Sequence, residues 1–330
     1  MSPKIFPIAV LFIAITLVLV AGCTADSGKT NTSVTEPSVN ATPVPASTSD
    51  SSVASRIPSV ISTRAIPLET TPAELPELEL SNGSVARYYA YTSGGIMGLM
   101  PLALSTSVYD QYQKMGKPSV RNVNYSTYYL RYMDETLQKS TITDLARAIR
   151  NKEPDKNLQA RIAISLIQHI PPTGGESYRY PFEVLYEQQG TASEKAMLLA
   201  ILLKELNVGS AVFYFVPENQ MAAGIKAASP YDYQGTGYAF IDTTEPMIIT
   251  DDSRDYDSGT LSSLPEVIPV GVGASLTDIG TDYKDARTWI TIQNNLGHLS
   301  NMQYRQWESL NRDYDLSYFT CQECRFPAGS

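Results

Sequence analysis

Cysteine and histidine, which often carry out nucleophilic and acid–base chemistry, are scarce in this sequence. It has 3 cysteines, at positions 23, 321 and 324, and 2 histidines, His169 and His298. No thiol nucleophile is therefore available between residues 24 and 320. Positive charge is also scarce, because 25 Lys and Arg residues face 34 Asp and Glu residues, for a net charge of -9. Proteins that bind nucleic acids use basic patches to neutralise phosphates, so we expect no nucleic-acid partner.

The first 23 residues, MSPKIFPIAVLFIAITLVLVAGC, have the pattern of a targeting signal. Lys4 precedes an apolar run over residues 5–20, which predicts a secretory signal peptide at residues 1–23. The ending VAGC resembles the lipobox of prokaryotic lipoproteins, which implies that Cys23 is acylated. The alternative is an uncleaved membrane helix, because about 18 apolar residues approach the length that spans a bilayer. Both interpretations predict a chain that is tethered to the extracytoplasmic face of the cell membrane.

Residues 24–80 are rich in Ser, Thr and Pro and contain few large apolar side chains. Such a segment cannot bury enough apolar surface to offset the entropy of ordering, so it predicts a disordered stalk. A flexible chain of about 50 residues spans about 40 Å on average. The stalk would therefore hold the remainder of the chain away from the membrane.

The other two cysteines lie in the segment TCQECRFP of a C-terminal tail, residues 291–330. Cys321 and Cys324 form one C-x-x-C pair, and no second pair or nearby histidine completes a zinc site. A redox-active pair would begin a helix inside a βαβ unit, a pattern that the tail lacks. Since disulfides persist outside the cytoplasm, we expect a local disulfide here. We expect no metal and no other cofactor.

Residues 84–153 have the features of a tyrosine-rich helical extension. Tyr129, Met133 and Leu137 recur every four residues, and Leu145 with Ile149 continue the pattern. The apolar segment SGGIMGLMPLAL is interrupted by glycine and proline, so we expect a buried loop or a short helix there.

Residues 154–290 combine helical patterns with short strand patterns. A helix begins after Asp155 and ends before Pro171, with His169 as its C-terminal cap. Thr191 and Glu194 form a capping box for a second helix, whose apolar residues cover nearly all of its circumference. Three β-prone runs follow, SAVFYFVP, QMAAGIKAAS and GYAFIDTT. The pattern predicts an α+β fold in which a buried central helix packs on an antiparallel sheet.

Three segments within residues 158–246 resemble the transglutaminase-like domain family, which has a papain-type fold and a Cys-His-Asp triad. YPFEVLYEQQGTASEKAMLLAILLKEL resembles the family's Y-P-x-E-T-L, followed by G-D-C-E-D-K and a leucine-rich helix. ENQMAAGI resembles its H-M-A-V-G-V strand, and GYAFIDTTEP resembles its third segment, which ends in an acidic residue, Thr-Thr and Pro. The resemblance implies a papain/transglutaminase-like core at residues 154–290.

The resemblance also implies where the catalytic residues should lie. Ala192 stands at the position of the nucleophilic cysteine, Gln220 stands at the position of the histidine, and Asp242 is retained. We therefore expect a pseudoenzyme whose three vestigial side chains face one cleft, with Gln220 hydrogen-bonded to Asp242. In an alternative interpretation, Asp242 bonds to the backbone of its own turn.

Three function classes follow from these patterns. The first is a catalytically inactive cell-envelope module that binds a peptide or a glycan in a groove lined by Tyr178, Tyr180 and Tyr186. The second is an active hydrolase or transglutaminase-like enzyme with a non-standard nucleophile. It would use the tail cysteines, or carboxylates such as those of Glu194, Glu218 and Asp242. The third is a purely structural surface protein.

Overall fold

The computed structural model describes residues 78–80, 82–118, 124–174, 178–256 and 259–316. They belong to one structural unit, residues 65–330. The signal segment with Cys23, the stalk up to residue 77, and the pair Cys321 and Cys324 lie outside the described residues. In the part of the chain that the structure describes, no helix combines the length and the apolar character needed to cross a bilayer.

The described chain runs through three strands, six α-helices, six strands and two α-helices in that order. The helices are α1 (Thr106–Lys114), α2 (Tyr125–Met133), α3 (Lys139–Lys152), α4 (Lys156–Gln168), α5 (Pro181–Glu187), α6 (Ala192–Glu205), α7 (Gly280–Gln293) and α8 (Asn301–Tyr314). The strands are β1 (Leu78–Leu80), β2 (Ser84–Ser93), β3 (Ile96–Ser105), β4 (Gly209–Phe215), β5 (Gln220–Lys226), β6 (Tyr238–Ile241), β7 (Asp255–Tyr256), β8 (Gly259–Thr260) and β9 (Glu266–Val272).

The strands form antiparallel sheets, which confirms the predicted α+β class. One sheet has the order β1-β2-β3, a second has the order β6-β5-β4-β9, and β7 pairs with β8. The second sheet contains the three strands that the sequence predicts after α6.

The central helix α6 lies between this second sheet and a layer of helices. Its Thr191 N-cap and Glu194 form the predicted capping box, which fixes its start at Ala192. From Glu194 to Leu203 every residue is buried. One side of α6 contacts β4, β5 and β9, and the other contacts α2, α3, α4 and α5. A helix whose apolar residues cover nearly all of its circumference is stable only where other elements bury it on most sides.

The predicted helical extension over residues 84–153 is wrong in its first part. Residues 84–105 form the β2–β3 hairpin, with Ser84 opposite Ser105 and Ser93 opposite Ile96. Exposed positions of β3 carry apolar residues such as Met97 and Ala103. The sequence therefore lacks the alternation of apolar and polar residues that indicates a strand. The stalk prediction is also too long, because its residues 78–80 form β1 and pair with β2.

The boundary predicted between domain and tail at residue 290 falls inside α7. Helices α7 and α8 pack together, and their buried residues form a small hydrophobic cluster with Ile248. Its buried members are Ile248, Ala286, Trp289, Ile292, Leu310 and Leu316. Residues 291–316 are therefore part of the folded unit.

Candidate vestigial site at the start of helix α6

The start of α6 lies against the turn that follows β6. Ala192 is the first residue of the helix and is partly exposed. The hydroxyl of Thr243 donates a hydrogen bond to the carbonyl oxygen of Ala192 at 2.9 Å. Because Asp242 directly precedes Thr243, this bond brings the predicted nucleophile position next to the predicted carboxylate.

Gln220 lies on the strand that pairs with β6. It is the first residue of β5, which pairs with β6 so that Ala223 lies opposite Ile241. On its other side β5 pairs with β4, where Gln220 lies opposite Phe215, and Phe215 packs in a cluster with Ala222 and Phe240. The observed contact places Ala192 beside the turn of Asp242. The shared cleft expected for all three side chains stays a prediction.

The predicted hydrogen bond between Gln220 and Asp242 is wrong, because other donors occupy the carboxylate. Its Oδ1 accepts from the Thr244 amide at 2.6 Å and from the Thr244 hydroxyl. Its Oδ2 accepts from the Tyr256 hydroxyl at 2.6 Å. The Thr244 bonds form the local turn that the alternative interpretation of Asp242 predicts. Asp242 itself is buried, with 1% of its surface exposed.

The sequence analysis missed two partners of Asp242 in the β7 region. Burial raises the pKa of Tyr256, and the charge of Asp242 raises it further, so Tyr256 remains a neutral donor. The Nε of Arg254 lies 3.9 Å from Asp242 Oδ2, and its guanidinium pairs with Glu245. Both partners lie in the polar segment DDSRDYDSG, which has no periodicity that would reveal them.

Lys195 is a third functional group that the sequence analysis missed. It lies one turn into α6, is 0% exposed, and donates to three carbonyl oxygens. These belong to Gln168 at 3.1 Å, Ile170 at 2.6 Å and Thr244 at 3.1 Å. Burial lowers the pKa of Lys195 to about 7, against the opposing charges of Asp242 and Glu245.

Gln168 connects the end of α4 to the segment that follows β6. Its amide donates to the carbonyl oxygens of Asp242 at 2.8 Å and of Met247 at 3.0 Å. The next residue, His169, caps α4 as predicted, and its Nε2 lies 2.8 Å from Asp315 Oδ2. The imidazole is thus engaged with α4 and Asp315.

The carboxylates named for an alternative enzyme have structural partners. Glu194 is buried and accepts from the Thr191 amide at 2.7 Å and the Arg179 amide at 2.6 Å. Glu218 lies in the β4–β5 turn, where hydrogen bonds from Ser263 and Ser262 lower its pKa to about 2. Within the described residues, no group of three His, Cys, Asp or Glu side chains is placed to hold a metal.

The groove predicted from three tyrosines is wrong for Tyr180. This residue is buried, and its ring centroid lies 5.0 Å from that of Tyr132 and 4.9 Å from that of Tyr112. Tyr186 stacks on Tyr109 with centroids 4.0 Å apart. Both tyrosines face other aromatic rings because α1, α2 and α5 pack together through these side chains.

Tyr178 differs from the other two tyrosines because it lies beside the start of α6. It is partly exposed, and the amide of the next residue, Arg179, donates to Glu194. Its ring packs edge-on against Tyr129 at 5.6 Å, and Tyr129 packs in turn against Tyr214 on β4 at 5.5 Å. These aromatic rings form a wall that runs from Tyr178, beside the start of α6, to Tyr214 on β4.

The similarity of this chain to known proteins is weak. No family model matches the chain, and no curated protein matches it. One solved structure, a "putative protease" from Parabacteroides distasonis, is similar at 15% identity and a TM-score of 0.26. The match covers 49% of this chain and 40% of that chain. At this TM-score the likeness assigns neither a fold family nor an activity.

Proposed function

We propose that this chain is a catalytically inactive transglutaminase-like module of the cell envelope, tethered to the extracytoplasmic face of the membrane. The observation that carries the proposal is the contact between Ala192 at the start of α6 and Thr243 beside Asp242. It matches the arrangement that the family resemblance implies, with alanine where the nucleophile would be. The signal-like segment and the Ser/Thr/Pro-rich segment support the tethered location.

The chemistry of the site supports inactivity. A thiolate at a helix start gains stability from the exposed backbone N–H groups and the helix dipole, but alanine has no ionisable atom to benefit. The neighbouring hydroxyl of Thr191 is engaged as the helix cap. A hydroxyl also needs a base to become a nucleophile, and Gln220 cannot accept a proton at physiological pH. In a serine hydrolase, loss of the nucleophile alone reduces turnover about a million-fold.

A peptide or glycan ligand is the binding partner that we propose for this surface. Tyr178, partly exposed beside the start of α6, and Tyr125, 38% exposed at the start of α2, offer aromatic rings to such a ligand. Tyr125 also packs against Tyr214 at 4.7 Å, which extends the aromatic wall. If Tyr178→Ala retains full binding to a ligand captured from the cell envelope, this surface is rejected.

Restoring the two lost side chains tests the proposed architecture. In a background with Cys321→Ser and Cys324→Ser, the double change Ala192→Cys with Gln220→His should yield a thiol that reacts with iodoacetamide faster than Ala192→Cys alone. The reason is that a paired imidazole lowers the pKa of a thiol. The rate should follow the ionisation of the thiol when measured from pH 5 to pH 9.

A matched control separates pairing from a general change in the fold. Ser193→Cys moves the thiol by one residue around the helix, away from the predicted pairing direction, so Gln220→His should not accelerate its labelling. Equal acceleration at both positions, or no acceleration at Ala192→Cys, would reject the transglutaminase-like arrangement. Catalytic turnover by the unmodified chain would support the alternative of an active enzyme with another nucleophile.

A further inference from the structure

His169, one of the two histidines of the chain, joins the end of α4 to the end of α8. Its Nε2 lies 2.8 Å from Oδ2 of Asp315, the residue that caps the C-terminus of α8. Its Nδ1 lies 2.7 Å from the carbonyl oxygen of Ser165, one turn earlier in α4. The side chains of His169 and Asp315 are 11% and 26% exposed, so water reaches both of them in part. We name this pair the His169–Asp315 contact.

The two partners of the imidazole fix the number of protons that the contact needs. A carbonyl oxygen can only accept, so the bond to Ser165 requires a proton on Nδ1. A neutral imidazole has one proton, and its Nε2 would then direct a lone pair at the Asp315 carboxylate. A hydrogen bond of 2.8 Å between these atoms requires a second proton, either on Nε2 or on the carboxylate. The contact therefore holds one proton more than a separated neutral imidazole and carboxylate.

The cations near this end of α4 have other partners. Lys195 of α6 donates to the carbonyl oxygens on either side of His169, those of residues 168 and 170. Arg161, two turns earlier in α4, is engaged by Asp282 through two nitrogens and by Asp278 at 2.9 Å. The donors of both cations are therefore committed to oxygens outside the His169–Asp315 contact.

The polar groups that α7, α8 and β2 place on this side of α4 are also accounted for. Asp313 of α8 accepts from the Ser309 hydroxyl of the same helix at 3.0 Å. Asp285 of α7 accepts from the Tyr314 hydroxyl at 2.9 Å. From β2, Thr92 contacts α4 through its backbone amide and has no charge. The group that shares a proton with the imidazole is therefore the carboxylate at the end of α8.

The end of α8 also belongs to the small hydrophobic cluster between α7 and α8. Leu316, the residue after Asp315, is 2% exposed and packs in the cluster that contains Trp289. Its amide donates to the carbonyl oxygen of Asn311 at 3.2 Å. This cluster is separate from the main core, so the last turn of α8 can detach while the main core stays packed.

We infer that the His169–Asp315 contact is a pH-sensitive clasp, which fastens the end of α8 to α4 at acidic pH and releases it at alkaline pH. The fastened state binds one proton more than the released state, so a rise in pH favours release. Histidine is the side chain that ordinarily changes its charge between pH 5 and pH 8, so we expect release in this range. The inference goes beyond the proposed function and does not depend on it, because Ala192, Gln220 and Asp242 take no part.

Hydrogen–deuterium exchange of the full-length chain in detergent tests the inference. Mass spectrometry follows a peptide that covers residues 309–316 from pH 5 to pH 9, with rates corrected for the intrinsic pH dependence of amide exchange. We expect the protection of its amides to fall about tenfold between pH 6 and pH 8, because the loss of one proton weakens docking by at most about tenfold per pH unit. A peptide from the central helix α6 should keep its protection over the same range.

Two variants remove the need for the extra proton by different routes. Asp315→Asn supplies an amide that can donate to an unprotonated Nε2, and asparagine tolerates the left-handed φ of 55° at this position. His169→Gln supplies an amide that donates at every pH. In both variants the protection of residues 309–316 should change by less than about twofold from pH 6 to pH 8, because release no longer loses a proton. His298→Gln removes the other histidine and should keep the profile of the wild type.

Tryptophan fluorescence gives a second readout of the same release. The chain has two tryptophans, Trp289 in α7 and Trp307 in α8, so its tryptophan emission reports on this pair of helices. The emission of the wild type should shift to longer wavelength as pH rises. Constant protection of residues 309–316 in the wild type, or the wild-type pH dependence in both contact variants, would overturn the inference. An equal loss of protection in α6 would also overturn it, because the whole chain would then be unfolding.

Discussion

Lys195 connects three segments of the chain through a single side chain. Its ammonium group has three donors, and the carbonyl oxygens of Gln168, Ile170 and Thr244 accept one bond each. These carbonyls come from the end of α4 and from the turn after β6, while Lys195 itself belongs to α6. The lysine therefore holds together the elements that meet at the start of α6.

Replacement of this lysine should destabilise the protein. We predict that Lys195→Met lowers the free energy of unfolding by about 1 to 3 kcal/mol at pH 7, because it leaves buried carbonyl oxygens without their donor. Denaturant unfolding measures the change. Lys204→Met on the same helix is the control, since Lys204 is about half exposed and should alter stability by about 0.5 kcal/mol or less.

The pH dependence of stability gives a second readout of Lys195. Its pKa is about 7 in the folded chain, whereas an unfolded lysine titrates at about 10.4. Between these values the unfolded chain binds more protons, so the contribution of Lys195 raises the free energy of unfolding as pH increases. The difference in stability between the wild type and Lys195→Met should therefore grow from pH 7 to pH 9. Parallel pH curves would contradict this.

Sequence reasoning predicted the turn around Asp242 but not the tyrosine that donates to its carboxylate. Ala192, Gln220 and Asp242 were assigned by resemblance to three family segments, and none of these segments includes Tyr256. The partner that replaces Gln220 is Tyr256, which lies 14 residues beyond Asp242 and reaches it through the β7–β8 hairpin. Such a pairing depends on the tertiary path of a loop, which no local pattern encodes.

Among the elements, those with a strong local signal were predicted and the β2–β3 hairpin was not. Helix α6 has a capping box and a nearly continuous apolar surface, so its start and its burial follow from sequence. In the hairpin, Pro101 and glycines interrupt the sequence pattern of a strand. Pro101 is exposed, and its strand β3 lies at the edge of its sheet among the described strands. An edge strand tolerates proline because its missing N–H faces no partner.

Gly98 allows the two strands of this hairpin to pack. It lies opposite Tyr91, and a Cβ atom built on Gly98 would be 2.4 Å from Tyr91 Cζ. Tyr91 is 4% exposed, so its ring has little room to move away. We predict that Gly98→Ala lowers the free energy of unfolding by about 1 to 3 kcal/mol, as measured by denaturant unfolding.

A second glycine provides the matched control for this prediction. A Cβ atom on Gly116 would have no heavy atom within 4 Å. Gly116→Ala should therefore change stability by about 0.5 kcal/mol or less. If the two alanine variants were equally stable, the close packing of Tyr91 on Gly98 would not be what fixes this hairpin.

At the scale of the whole molecule, composition separates the chain into parts with different physical roles. The described unit buries large aromatic and aliphatic side chains in its clusters, whereas residues 24–77 are dominated by Ser, Thr and Pro. The net charge of -9 gives the chain no net electrostatic attraction to anionic lipid or nucleic acid. The membrane attachment that we propose would therefore depend on the N-terminal segment.

The anchor at Cys23 can be tested on the full-length chain. If Cys23 is acylated, Cys23→Ser should move the protein from the detergent phase to the aqueous phase in a Triton X-114 partition, or leave its signal segment uncleaved. The physical reason is that each buried CH₂ of an acyl chain contributes about 0.8 kcal/mol to membrane attachment, which serine cannot replace. The variant Cys321→Ser with Cys324→Ser keeps the N-terminal cysteine and should partition like the wild type. A Cys23→Ser protein that stays in the detergent phase, with the same intact N-terminus as the wild type, would instead establish a spanning helix over the apolar run at residues 5–20.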